Sequence, residues 1–193
     1  TRCKDVGGAS LPADSSTAGD VISDTATAYD MTTWSASQTP TLGDARWTGR
    51  VKGYSGGTPS WQTVSTSVFD ALGRVTSAKD AAGTTTTTTY TPAGAGIPVS
   101  AKVIEQATDS LTFITTTYFD PLWGRSRKIV DTNNKITEQV YDDLGRLVKV
   151  WLPTQSRAAG DSPSMVHSYR LSATTPSWSA SGGLRGDGET YST

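Results

Sequence analysis

A six-residue pattern that occurs three times limits what this chain can fold into. The pattern is an aromatic residue, Asp, any residue, Leu, Gly and Arg; it begins at Phe69, Phe119 and Tyr141, and Trp123 is inserted in the second copy. Tyr90 follows the first aromatic by 21 residues, and Tyr141 follows the second by 22. A fixed period of this length indicates one β-hairpin per repeat.

The residue types of the pattern are those of a tight turn. An Asp side chain accepts hydrogen bonds from backbone N–H groups two or three residues farther along the chain. Gly73, Gly124 and Gly145 supply a positive φ, which costs a residue with a Cβ roughly 1–2 kcal/mol. The Arg begins the return strand, where its guanidinium can reach the Asp carboxylate or a neighbouring hairpin.

A second turn pattern is expected at the opposite end of each hairpin. Asp80 opens one such turn and Gly83 closes it, whereas Asp131 opens the other and Asn134 takes the Gly position, because Asn tolerates the left-handed conformation. The residues assigned to the repeat motif are the following: Phe69, Asp70, Gly73, Arg74, Asp80, Gly83, Tyr90, Phe119, Asp120, Gly124, Arg125, Asp131, Asn134, Tyr141, Asp142, Gly145 and Arg146.

Apolar residues recur at every second position more often than at helical spacing, which predicts strands. Alternation places Val150 and Trp151 on opposite faces of their strand. The six threonines at 84–89 occupy the return strand of a repeat and are interpreted as a strand rather than as disorder. The predicted strands are residues 75–79, 84–89, 111–119, 128–130, 136–141, 147–152 and 165–171.

The composition describes a folded but polar protein with a small core. Leu, Ile, Val and Phe make up 32 of 193 residues, whereas Thr and Ser make up 55. Six Trp and seven Tyr add burial capacity. The net charge of -1 disfavours nucleic-acid binding, which is typical of basic proteins. No apolar run approaches the roughly 18 residues of a membrane-spanning helix.

Cys3 is the single cysteine, so it forms neither an internal disulfide nor a thiolate metal site. It is interpreted as an inert thiol or, in an extracellular protein, as an odd cysteine open to intermolecular pairing. The chain opens with Thr1 rather than Met and is interpreted as a piece of a longer protein.

The repeat resembles the YD repeats of Rhs-type proteins in three features: the aromatic-Asp-x-Leu-Gly-Arg core, the Asp-x-x-Gly turn and the period near 21. Wall-associated proteins of Gram-positive bacteria, toxin-complex C subunits and teneurins share these repeats. The resemblance covers residues 67–152 and is weaker over 20–66. There Tyr29 and Asp30 open a repeat without a following Gly-Arg, and residues 49–51 are a candidate for the displaced second half. The composition, rich in Thr and Gly, and the sequence of residues 152–160 are similar to those of actinobacterial members.

The resemblance implies an all-β fold of tandem antiparallel β-hairpin (YD) repeats that form part of a spiral β-sheet shell. Such shells enclose a C-terminal polypeptide, which in many bacterial members is a toxin used in competition between cells. The implied role is a non-enzymatic wall segment, secreted or at the cell surface. Its implied partners are the neighbouring repeats of the parent chain and the enclosed cargo; no cofactor and no metal are expected.

Two other functions are weighed against this one. A cell-surface module could bind wall glycans through exposed Trp and Tyr, with Trp61, Trp123 and Trp151 as candidates. Catalysis is disfavoured, because the only histidine, His167, lies in a predicted strand near Asp161, Ser164 and Ser168 without a nucleophile elbow. The carboxylates of Asp142 and Asp143 are interpreted as a turn start, and Asp187 with Glu189 as a polar loop rather than a calcium site.

Three segments are expected along the chain. Residues 1–66 form a divergent YD-like segment with long loops at 13–19 and 35–43, and residues 67–152 form the YD-repeat hairpins. Residues 153–193 contain a loop insertion at 154–164, one further strand and a Gly/Ser-rich tail. The tail from Ser172 shows little pattern and is expected to be poorly ordered without a following repeat.

Overall fold

A computed structural model describes residues 2–5, 20–55, 57–94, 96–108, 110–184 and 190–192. This part of the chain is all-β, as the sequence predicts, with one short 3-10 turn, Arg157–Ala159, and without a helix of the length and apolarity that crossing a membrane requires. The strands are β1 Arg2–Asp5, β2 Asp20–Tyr29, β3 Ala45–Ser55, β4 Thr58–Phe69, β5 Val75–Asp80, β6 Thr85–Thr91, β7 Ser100–Thr108, β8 Leu111–Phe119, β9 Ser126–Val130, β10 Ile136–Tyr141, β11 Leu147–Trp151, β12 Met165–Arg170, β13 Trp178–Leu184 and β14 Thr190–Ser192.

The chain divides into two compact units. The first comprises residues 1–88 and 105–112, and the second comprises residues 89–104 and 113–193. In the first unit β1 to β6 pair antiparallel in chain order. In the second unit β8 to β14 do the same. Within each of these two series every strand therefore pairs with its sequence neighbours, which is the topology of tandem hairpins.

All seven predicted strands overlap an observed one. β8 and β10 have the predicted bounds, and β5, β6, β9, β11 and β12 differ only at their ends. The long hairpin of β3 and β4 is missed, although Gly56 and Gly57 between the paired residues Ser55 and Thr58 are a hairpin signal. The loop expected at 13–19 lies outside the described residues.

The core of the first unit is built from one large ring and two small residues. Trp47 on β3 is buried against Ala26 and Ala28 on β2, and Ala28 is its partner in the strand register. A Cβ added to Gly49 would lie 2.1 Å from the indole of Trp47. Small residues on the same face therefore make the space that the indole fills.

In the second unit β11 has the expected alternation but is buried on both faces. Val150 and Trp151 are consecutive and point to opposite faces, yet both are buried. Trp151 donates from Nε1 to the Asp161 carbonyl at 2.9 Å, and the guanidinium of Arg157 lies over its ring. The loop after β11 thus covers the face of the sheet that the strand alone would leave open.

The expectation of a patternless tail after Ser172 is corrected by β13. Residues 178–184 pair with all of β12, from Arg170 opposite Trp178 to Met165 opposite Gly183. The second edge of β12 supplies the hydrogen-bonding partners, so a segment rich in Ser and Gly forms a strand despite its weak hydrophobic alternation.

Candidate functional site

The repeated Asp turns have one hydrogen-bond geometry. At Asp70, the backbone N–H donates to the Arg74 carbonyl at 2.9 Å, and Gly73 N–H donates back to the Asp70 carbonyl at 3.1 Å. The carboxylate accepts from the N–H groups of Leu72 and Arg74 through Oδ1, and from Arg74 Nε through Oδ2 at 2.6 Å. The side chain of one Asp therefore organises both the turn and the first residue of the return strand.

The turn at Asp142 repeats this arrangement. Its carboxylate accepts from Leu144 N–H and Arg146 N–H, and Arg146 Nε lies 2.7 Å from Oδ2. The hydrogen bond from the Arg146 side chain holds the pKa of Asp142 below its ordinary value, although partial burial opposes this shift. At Asp70 burial raises the pKa, but the hydrogen bonds from Arg74 and Leu72 outweigh it and the pKa is lowered.

The opposite turns use the same backbone geometry without the arginine. Asp80 Oδ1 accepts from the N–H groups of Ala82 and Thr84, each at 2.9 Å. Asp131 Oδ1 accepts from Asn133 N–H and Lys135 N–H, each at 2.8 Å. Asn134 has φ 58°, so it occupies the position that Gly83 takes in the other turn, at φ 93°.

The inserted residue Trp123 links the Asp120 turn to the next one. Asp120 Oδ1 accepts from the N–H groups of Leu122 and Trp123, so the turn keeps its Asp anchor despite the extra residue. The Trp123 ring lies against Gly145 so closely that an added Cβ would be 2.8 Å from its Cδ2. Gly145 is therefore required for its φ of 71° and for this close approach.

In the second unit, the arginines of the Asp120 and Asp142 turns each contact a tyrosine of the following repeat. The guanidinium carbon of Arg125 lies 5.7 Å from the Tyr141 ring centre, and that of Arg146 lies 4.6 Å from the Tyr169 ring centre.

Each of these tyrosines also makes the same backbone hydrogen bond. Tyr141 Oη donates to the Ser126 carbonyl at 2.8 Å, and Tyr169 Oη donates to the Leu147 carbonyl at 2.9 Å. Both carbonyls belong to the residue directly after the arginine. Burial raises the pKa of Tyr141, while the charge of Arg125 opposes that shift. We call this recurring contact the Arg–Tyr coupling.

A further Asp turn lies where the sequence shows an incomplete repeat. Asp30 N–H donates to the Asp44 carbonyl at 2.7 Å, and its carboxylate accepts from the N–H groups of Thr41, Leu42, Gly43 and Asp44. The Leu42 N–H, followed by those of Gly43, Thr41 and Asp44, lowers the pKa of Asp30 far below its ordinary value, against a burial effect that raises it.

The second half of this repeat is therefore Leu42, Gly43 and Asp44, and ten residues, 31–40, are inserted between Asp30 and Thr41. The candidate at residues 49–51 is wrong, because these residues lie within β3. The sequence signal for this turn was the Leu-Gly pair that follows Tyr29-Asp30 after a long gap.

The tryptophans proposed for sugar stacking are largely used in packing. Trp151 is buried, whereas Trp123 lies against Gly145 and keeps 43% of its surface exposed. Trp61 packs edge-on against Trp34 and Trp47, with ring centres 5.3 and 6.4 Å apart.

The residues considered for catalysis each have a different partner. His167 Nδ1 lies 2.8 Å from Ser181 Oγ, Ser164 Oγ accepts from Leu152 N–H, and Asp161 Oδ2 accepts from Ser156 N–H. Asp187 and Glu189 lie outside the described residues, among which no group of three potential metal ligands occurs. Cys3 lies in β1, in register with Ser23.

Comparison with known families identifies one of these hairpins directly. Residues 69–95 match the family model of the RHS repeat, from the aromatic that precedes Asp70 through the Asp80 turn and β6. No curated protein matches the chain. The RHS repeat is a structural element rather than a catalytic one. The chain therefore contains an RHS repeat, and the predicted resemblance to Rhs/YD-repeat proteins is confirmed over residues 69–95.

Proposed function

We propose that this chain is a wall segment of a β-sheet shell that encloses a C-terminal polypeptide of the same parent protein, with a toxin as the proposed cargo. The proposal includes a secreted or cell-surface location and a role in competition between bacteria. It rests on the RHS repeat at 69–95 together with the geometry of the hairpins.

The Arg–Tyr coupling is the observation that carries the proposal. Arg146 is fixed by Asp142 within its own turn and lies over Tyr169 of the next strand pair, and Arg125 lies over Tyr141 in the same way. Each repeat therefore contributes half of a contact that the following repeat completes, which favours a continuous wall over independent hairpins.

The leucine of each turn supports the same role. Leu72, Leu122 and Leu144 expose 51%, 76% and 59% of their surface, and Leu42 in the interrupted turn exposes 76%. Their N–H groups hold the Asp carboxylates, but their side chains are not needed for that. An apolar side chain kept exposed at one motif position suits a wall that contacts cargo or further wall. Glycan binding has less support, because Trp151 is buried and Trp123, although 43% exposed, lies with its ring against Gly145.

The full-length parent protein provides the test. It is purified by native size exclusion, and the intact mass of the peak is then measured under denaturing conditions. A large and a small C-terminal polypeptide in one peak, with the small one protected from protease until the large one is unfolded, is the expected result. A single uncleaved chain, or a C-terminal part that is digested in the native protein, would overturn the proposal.

A further inference from the structure

The turn between β12 and β13 begins like the Asp turns but carries the opposite charge at its second residue. Tyr169 takes the aromatic position, since it contacts Arg146 as Tyr141 contacts Arg125. The next residue, where the regular turns have Asp, is Arg170. The turn, residues 171–177, contains no acidic residue, and it is closed by a serine instead: the hydroxyl of residue 172 accepts from two later N–H groups at 3.2 and 3.0 Å.

Arg170 carries a charge that nothing in this turn offsets. Its side chain is exposed, and none of the residues that the structure describes forms a hydrogen bond or an ion pair with its guanidinium. The arginines of two regular turns differ in this respect, because Arg74 and Arg146 donate to the Asp of their own turn at 2.6 and 2.7 Å. A guanidinium binds a carboxylate through two parallel N–H donors. Arg170 is therefore free to accept a carboxylate from another molecule.

A cleft of about 400 Å³ lies beside Arg170 in the second unit. Its lining also includes Arg146, Tyr169, Leu171 and Trp178, and no acidic residue belongs to it among the described residues. Arg170 and Trp178 are partners in the strand register, so their side chains leave the same face of the sheet with Cβ atoms about 5 Å apart. Leu171 and Trp178 are 71% and 48% exposed. The cleft therefore places a free positive charge next to exposed apolar surface.

We propose that this cleft binds an acidic peptide segment in which a carboxylate side chain and a bulky apolar side chain are two positions apart. An extended peptide presents such residues on the same side, which matches the placement of Arg170 beside Trp178. Arg170 holds the carboxylate, and the apolar side chain packs on Trp178 and Leu171. The charge of Arg146 is already offset by Asp142, so Arg170 supplies the electrostatic selectivity. This inference is independent of the shell proposal.

The test is a titration of the full 193-residue chain with acetyl-Asp-Ala-Leu-amide at constant ionic strength. Binding is followed by nuclear magnetic resonance through the indole N–H signal of Trp178, which the variant Trp178→Phe identifies. A saturable shift of this signal is expected, with acetyl-Asn-Ala-Leu-amide bound about tenfold more weakly. Equal binding of the two peptides, or no saturable shift, would overturn the proposal. Sodium acetate that binds as tightly as the Asp peptide would also overturn it, because the site would then take a simple anion.

Variants locate the binding. Arg170→Gln should weaken binding of the Asp peptide about tenfold and leave the Asn peptide unaffected. Arg127→Gln is the matched control, because this arginine of β9 is also exposed but does not line the cleft. Binding of the Asp peptide that survives Arg170→Gln, or that both variants weaken equally, contradicts the site. The comparison of the two peptides on the unaltered chain decides the ligand class even if Arg170→Gln does not fold.

Discussion

The guanidinium of Arg146 lies over the ring of Tyr169, with its carbon 4.6 Å from the ring centre. The same side chain is bound to Asp142 of its own turn through Nε and Nη2, each 2.7 Å from Oδ2. One arginine therefore completes a turn and contacts the next strand pair. The bonds to Asp142 restrict the conformations of the Arg146 side chain. The Asp turn therefore orients the arginine for its contact with the next repeat.

The lowered pKa values of the turn aspartates predict acid sensitivity. A carboxyl group whose pKa is lower in the folded than in the unfolded protein stabilises the fold at pH values above its ordinary pKa, which is 3.8 for these aspartates. This stabilisation is lost as the pH falls from that value through the lowered pKa of the folded protein. The free energy of unfolding, measured with urea, should therefore decrease from about pH 5 toward pH 3.

Asp142→Asn should flatten this dependence, because Asn does not titrate and the group with the lowered pKa is removed. Asp143→Asn is the matched control, since Asp143 is exposed and lies next to the turn anchor. An equal pH dependence in both variants would show that the turn carboxylates do not govern acid stability.

Two glycines of the turns should differ in their tolerance of alanine. Gly124→Ala should cost about 1–2 kcal/mol, because its φ is 63° but no atom lies within 4 Å of the added Cβ. Gly145→Ala should cost roughly 1–3 kcal/mol more, because its Cβ would also meet the Trp123 ring. Chemical unfolding of both variants measures the difference, and Trp123→Ala in the Gly145→Ala background should recover part of it. Equal costs would contradict the packing of Trp123 on this turn.

Gly49 should also be sensitive to alanine, although its φ is not positive, because a Cβ there would meet the Trp47 ring. Gly49→Ala places a Cβ within 2.1 Å of the Trp47 ring, so the indole must move and lose its 2.9 Å hydrogen bond to Thr63 Oγ1. A destabilisation of roughly 1–3 kcal/mol and a changed near-ultraviolet circular dichroism spectrum are expected. Gly53→Ala in the same strand is the control, because its nearest atom is Ser60 Oγ at 3.8 Å. An unaltered spectrum for Gly49→Ala would mean that Trp47 is not packed on this glycine.

The regular turns could be predicted because their chemistry is local. Asp70, Gly73 and Arg74 lie within five residues and form hydrogen bonds with one another. The short motif in the sequence therefore contains all the residues of this hydrogen-bond network. Asn134 was identified for the same reason, as its φ of 58° depends on residue type.

Features that depend on distant residues could not be predicted in this way. Ten residues separate Asp30 from Thr41, and Asp44 replaces the expected arginine, so the local pattern is broken while its hydrogen bonds persist. Trp151 is buried by a loop that follows it rather than by its own strand. The Arg–Tyr coupling joins residues 16 and 23 positions apart, Arg125 to Tyr141 and Arg146 to Tyr169, and no short motif records it.

The central claim is that the turn arginine binds one repeat to the next, and a double-mutant cycle tests it most directly. Urea unfolding gives the free energies of Arg146→Met, Tyr169→Leu and the double variant. A coupling energy of about 0.5–1 kcal/mol is predicted for the stacked pair. Arg157→Met with Tyr169→Leu is the control cycle and should be additive, since Arg157 stacks on Trp151. Additivity in the Arg146–Tyr169 cycle as well would contradict the claim.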